Sequence, residues 1–136
     1  MGIISSLFGK KKIPAFSSAV YSVSVNIHPI RLAARKADSA QMDITVTNNF
    51  EKELLTSVVI DVPKALGFEQ SALSHQKEVR LGNLGPGETR NIRISVWGTA
   101  RTEPAAYAIG IYVMSHYRDY SYILNEVKKT VELRVA

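Results

Sequence analysis

Apolar and polar residues alternate with a period of two over much of this chain. In residues 20–28, Tyr21, Val23, Val25 and Ile27 alternate with Ser22, Ser24 and Asn26. Successive side chains of a strand point to opposite faces, so the segment reads as a strand with one dry and one wet face. Residues 41–47 repeat the pattern with Met42, Ile44 and Val46 inward and Asp43, Thr45 and Thr47 outward, and Ile92, Ile94 and Val96 do so against Asn91, Arg93 and Ser95. Ile109, Ile111 and Val113 mark the buried parity of a strand over residues 107–114. In a last strand over residues 127–135, Val127, Val131, Leu133 and Val135 share one parity, which Lys129 interrupts. A charge at an inward position predicts an edge strand or a bulge there. Residues 54–62 break the alternation: Leu54, Leu55, Val58, Val59, Ile60 and Val62 occupy both parities. A strand buried on both faces, or one facing a partner, has that pattern.

Turn residues separate these segments. His28-Pro29 ends the first, Asn48-Asn49 and Glu51-Lys52-Glu53 follow the second, and Pro63 stops the third. Val79, Leu81 and Leu84 lead into Gly85-Pro86-Gly87-Glu88. Pro86 presets one turn dihedral there and a flanking glycine can take positive φ, so a hairpin with the strand at Ile92 is expected. Residues 30–40 alone have helical composition and are read as a solvated crossover loop; residues 64–74 are read as a long irregular connection with at most one helical turn. About seven strands with frequent turns predict an all-β fold, an antiparallel immunoglobulin-like β-sandwich. The sandwich is assigned to residues 19–136 and an N-terminal arm to residues 1–18. Its expected core is Val25, Ile44, Val46, Val58, Ile60, Leu81, Ile92, Ile94, Ile111 and Val113.

The order of these signals carries a resemblance. A leucine-rich lead, an L-x-P-G-E-like turn at residues 84–88, an alternating strand, and then Pro104 and Tyr107 opening the next strand resemble CARDB-like (cell-adhesion-related) and NEW3-like immunoglobulin-fold modules. The likeness extends over residues 42–135, although Glu103-Pro104-Ala105-Ala106-Tyr107 lacks the glycine usual between proline and tyrosine in those families. It implies a fold, and with it a carbohydrate-binding or cell-surface accessory module as an alternative function.

Composition narrows the field. A chain of 136 residues fits one domain, which buries about two-thirds of the surface its unfolded chain exposes. Without cysteine there is no disulfide or thiolate chemistry, and a reducing compartment is favoured. The net charge of +5 is uneven: residues 1–37 hold Lys10, Lys11, Lys12, Arg31, Arg35 and Lys36 and no acid, leaving eleven bases and twelve acids for the rest. The first residues, MGIISSLFGKKK, place apolar residues before the lysines, the reverse of a secretory signal, so a cytoplasmic protein is expected. Gly2 with Ser6 also fits the short myristoylation pattern. Ile3, Leu7 and Phe8 at helical spacing, with Lys10, Lys11 and Lys12 behind them, would give weak, membrane-peripheral contact with anionic lipid. Nucleic-acid association through the first 37 residues rests on charge alone and is not favoured, since no aromatic residues interleave with Arg31, Arg35 and Lys36 to stack on bases.

Catalytic inventory is thin. The three histidines, His28, His75 and His116, fall in or beside turns and are expected to play surface or turn roles; no metal spacing, nucleophile motif or phosphate loop occurs, so no enzyme, cofactor or metal is expected. The cluster that stands out is aromatic: five of the six tyrosines lie between Tyr107 and Tyr122. Tyrosine offers large contact area at low entropic cost, and arginine is the other common hot-spot residue. Tyr112, His116, Tyr117, Arg118, Tyr120 and Tyr122 are therefore the candidate residues for a protein partner. The simpler reading is that these tyrosines pack on a sheet face, that one hydroxyl pins a loop, and that Arg118 and Asp119 form a turn salt bridge. The doubly apolar stretch 54–62 adds the expectation of a homo-oligomer. Together these readings predict a non-catalytic interaction module.

Overall fold

The computed structural model describes residues 20–136. The arm residues Ile3, Leu7, Phe8, Lys10, Lys11 and Lys12 lie outside them. Eight strands form: β1 Tyr21–His28, β2 Arg31–Leu32, β3 Asp38–Asn48, β4 Leu54–Asp61, β5 Gln76–Leu84, β6 Thr89–Gly98, β7 Ala105–His116 and β8 Ile123–Val135. They make a three-stranded sheet, β1-β3-β6, facing a five-stranded sheet, β2-β8-β7-β4-β5. Every pairing is antiparallel except β2 with β8.

The alternating patterns set the register. Val25, Ile44 and Ile92 align across the first sheet, and Ile60 and Ile111 across the second. The apolar parities meet between the sheets, where each fully buried aliphatic side chain contributes about 1.5–3 kcal/mol by leaving water. Of the ten expected core residues, Ile44, Val46, Val58, Ile60, Ile94, Ile111 and Val113 are buried, while Val25, Leu81 and Ile92 are partly buried against them. At the start of β1, Tyr21 crosses between the sheets: its hydroxyl lies 2.7 Å from Thr56 Oγ1, and burial pushes the phenol up to about 12.

Two local expectations are corrected. The turn at Gly85-Pro86-Gly87-Glu88 does not close a hairpin, because β5 pairs with β4 and β6 with β3; the chain instead crosses from one sheet to the other. Gly87 takes φ 77° at that crossing, and its N–H is held by Asn48 O at 2.8 Å. Residues 30–40 form neither helix nor plain loop. Arg31 and Leu32 align with Arg134 and Val135, and the Asp38 carboxylate accepts from the N–H groups of Ala33 and Ser39, turning the chain directly into β3. The doubly apolar segment, β4, lies between β5 and β7. Its Leu54, Val58 and Ile60 face the core, and its outward Leu55 and Val59 remain half-buried on the sheet surface.

Besides the edge strands β1, β5 and β6, most of one side of β8 is also open. β2 covers only Arg134 and Val135 of β8, so the remainder of β8 has no strand on that side among the described residues. Lys129 sits opposite Ile111 on the inward parity, yet is exposed, between the half-buried Val127 and Val131. An inward-pointing charge on an edge strand discourages the addition of another strand. The bulge falls at the other end of β8, where Ser115 faces Asn125 and His116 faces Ile123, leaving Leu124 without a partner in the register.

Candidate functional site

Residues 117–122 connect β7 to β8 at the end of the sandwich where β1 begins. The turn is held by its own backbone: the Tyr117 N–H donates to Tyr122 O at 2.9 Å, and the Asp119 N–H to Tyr117 O at 2.7 Å. The Asp119 carboxylate accepts from the Ser121 N–H at 2.8 Å. Asp119 is thus a turn-former, and the expected ion pair with Arg118 is absent; the Arg118 guanidinium lies 5.1 Å from the centre of the Tyr117 ring instead. Arg118 adopts φ 69°, a conformation that costs a non-glycine residue on the order of 1 kcal/mol and needs support from its surroundings.

That support comes from below. Tyr120 folds back over the outer face of the five-stranded sheet and its hydroxyl accepts from the Gly82 N–H at 3.0 Å. Gly82 has φ 75° and sits where the register between β4 and β5 shifts. The Arg80 guanidinium lies 4.5 Å from the Tyr120 ring centre, within range of a cation–π attraction. The His116 ring meets Tyr120 edge-on, with centroids 5.0 Å apart, and its Nε2 lies 2.7 Å from Ser57 Oγ.

Of the two roles expected for His116, surface or turn, the structure gives the turn: it is 6% exposed, and its Nδ1 is buried with no hydrogen-bond partner. Burial pushes the imidazole below its ordinary range; the Tyr122 carbonyl, Glu78 and Asp119 favour the charged form more weakly, and Arg80 opposes it. Ser57 is fully buried, so this serine–histidine contact presents no nucleophile to solvent. Among the described residues no group of three or more His, Asp or Glu side chains could hold a metal ion.

The sign of the pH effect follows. A histidine whose pKa is lower in the folded than in the unfolded chain binds fewer protons when folded, so stability rises with pH through the window between the two values. Acidification through the ordinary histidine range of about 6.5 is expected to destabilise the protein, with the loss complete below the depressed folded value. Thermal melts of wild type and His116→Gln at neutral and mildly acidic pH check this: the variant should lose less stability on acidification. Equal losses would place the effect elsewhere.

Above this brace the surface is apolar. Tyr117 is 51% exposed, Tyr122 60%, Ile123 57% and Leu124 51%. The six candidate residues therefore divide by role. Tyr117, Arg118 and Tyr122 face solvent, His116 and Tyr120 brace the turn, and Tyr112 lies further along β7 with the Lys128 amine 5.3 Å from its ring centre. Tyr107 plays the loop-pinning part, its hydroxyl donating to Glu103 O at 2.6 Å at the opposite end. Ile123 and Leu124 were not among the candidates. Two adjacent apolar residues just ahead of the Val127 parity are the trace of the bulge, and one of them had to face outward. Ser57, Arg80 and Gly82 left no such trace, because they reach Tyr120 and His116 only through the pairing of β4 with β5 and β7.

The architecture has counterparts among solved structures. The chain matches an Escherichia coli alpha-2-macroglobulin structure spanning domain MG7 to the C-terminus, with TM-score 0.65 and 16% identity over 88% of this chain, of which it spans only 17%. It also matches the CARDB domain of a Pyrococcus furiosus protein, solved with di-metal ions, with TM-score 0.51 and 16% identity over 98% of this chain and 100% of that one. The fold is an immunoglobulin-like β-sandwich, similar to that of the CARDB domain. A FixG-related protein from Vibrio parahaemolyticus resembles this sandwich at TM-score 0.55 and 11% identity, over 85% of this chain and 96% of that one. No family model matches the sequence, and no curated protein matches it. At these identities the likeness is one of fold.

Proposed function

We propose that this CARDB-like sandwich is a non-catalytic binding module that docks a protein partner on the exposed end of the β7–β8 hairpin. The observation that carries the reading is the exposure of Tyr117, Tyr122, Ile123 and Leu124 together on one braced turn. Scattered exposed apolar residues are ordinary, but a contiguous group marks a contact surface. The brace from Tyr120, Arg80 and His116 lowers the ordering cost of binding, since the turn is already held in shape. Tyrosine and arginine are the residue types that concentrate binding energy in such patches.

A photo-cross-linking amino acid in place of Tyr122, in the full-length chain in its own cells, tests the reading. The expected result is one discrete adduct that disappears when Ile123→Ser and Leu124→Ser are added. An adduct of twice the mass of the chain would identify the partner as a second copy and give the homo-oligomer its interface. The same adduct from a probe replacing Thr130, on the exposed outer face of β8, or no adduct at Tyr122, would overturn the proposal.

A further inference from the structure

The opposite end of the sandwich is built from the β1–β2 turn and from residues 33–37, 62–75 and 99–104. Backbone and side-chain bonds stitch these segments together. The Arg35 N–H donates to Thr102 O at 2.9 Å, and Gly67 and Trp97 exchange two hydrogen bonds of 2.8 and 3.0 Å. The Thr102 hydroxyl accepts from the Thr99 N–H at 2.8 Å and donates to Ala65 O at 2.7 Å.

The charges on this stitched end are unbalanced in a specific way. Most carboxylates at or beside it are used internally: Asp38 on the Ala33 and Ser39 N–H groups, Asp61 on the Gln76 amide, Glu69 on the Leu73 and Ser74 N–H groups, and Glu103 on Arg35 at 2.8 Å; Glu132, two residues before Arg134, forms no ion pair. Five cations remain. Among the described residues, Arg31, Lys36, Lys64, Arg101 and Arg134 form no ion pair. Arg31 and Arg134 even face each other across the β2–β8 pairing, where like charges are unfavourable without a counter-anion. Lys64 and Arg101 line a pocket of about 200 Å³ with Ser71 and Leu73. Within this basic end stand the two most exposed large apolar side chains of the described residues, Ile30 at 81% and Leu73 at 79%.

We propose that this end is a peripheral docking surface for an anionic lipid bilayer, with Ile30 and Leu73 entering the headgroup boundary and the unpaired cations meeting acidic headgroups. Aliphatic loop tips among free cations match the two layers of a bilayer surface, acyl boundary and anionic headgroup. A nucleic-acid strand would use the cations but would require exposed aromatic rings to stack on; Phe68, Trp97 and Tyr107, the aromatic residues in this region, are half-buried. The surface lies at the end opposite the partner-docking hairpin, so the two contacts can form at once.

Co-sedimentation of the full-length chain with vesicles of phosphatidylcholine alone, or with about a third phosphatidylglycerol, tests the proposal at low salt. Wild type is expected to bind only the anionic vesicles. Lys64→Glu with Arg101→Glu should reduce binding by about tenfold or more, and Ile30→Ser with Leu73→Ser should reduce it measurably, both with unchanged melting temperature. A third variant, Lys10→Gln with Lys11→Gln and Lys12→Gln, should retain most of the binding. Loss confined to that third variant would assign the membrane contact to the N-terminal arm and overturn the proposal. So would failure of wild type to bind, or preferential binding of a single-stranded oligonucleotide in competition with the vesicles.

Discussion

Asn48→Asp is expected to destabilise the fold by about 4 kcal/mol at neutral pH, a large part of the 5–15 kcal/mol typical of a domain. Asn48 is fully buried, and its amide nitrogen donates to three carbonyls: Lys52 and Leu84 at 2.9 Å and Gly85 at 3.2 Å. Its Oδ1 accepts from the Phe50 N–H at 2.7 Å. One side chain therefore ties the β3–β4 turn to the crossing between β5 and β6. Aspartate would replace the donor by a second oxygen facing three acceptors, in a place where water cannot screen the charge. Protonation restores one donor, so the variant should recover part of its stability as pH falls towards about 5. Urea denaturation at both pH values checks the size and the recovery. A midpoint unchanged at neutral pH would mean that the turns hold without this clamp.

Gly67→Ala should cost about 3 kcal/mol and act at the other end. A Cβ on Gly67 would lie 2.8 Å from the carbonyl carbon and from the Cβ of Ala72, and would press on the Ala72 Cα as well. The obstacle is mainly backbone, so no rotamer change relieves it. Either the double hydrogen bond between Gly67 and Trp97 breaks or residues 69–74 move outward. Thermal melting reports the cost, and amide exchange reports its place: the Trp97 N–H should lose protection while strands β4 and β7 keep theirs. A melt within a degree of wild type would show that the loop yields freely.

What was legible in the sequence is what local periodicity encodes. Ile44, Ile94 and Ile111 could be placed in the core because alternation is a property of consecutive residues, and the pattern survives whichever strand lies alongside. Partner choice is not local. The hairpin expected at Gly85-Pro86-Gly87-Glu88 failed because a turn can reverse the chain within one sheet or carry it into the other, and the deciding contact, Asn48, lies some forty residues earlier. Arg31 and Leu32 were too short a strand to have a period at all. In the candidate site, Tyr117 and Tyr122 were visible as exposed aromatics of a turn. The burial of His116 was hidden because it depends on Tyr120 folding back towards Gly82 on β5.

The parallel contact of Arg31 and Leu32 with Arg134 and Val135 has a consequence for synthesis. The sheet β1-β3-β6 can be complete once residue 98 has left the ribosome, whereas the edge at β2 must wait for residues about a hundred positions further on than its own. At about 5–20 residues per second, the apolar inner face of the first sheet waits some seconds for β7 and β8, covered in the meantime only by the β4–β5 hairpin. During that interval Met42, Ile44 and Val96, all buried in the finished sandwich, belong to a half-built core. Nascent chains stalled between residues 98 and 135 are where a chaperone should be found bound.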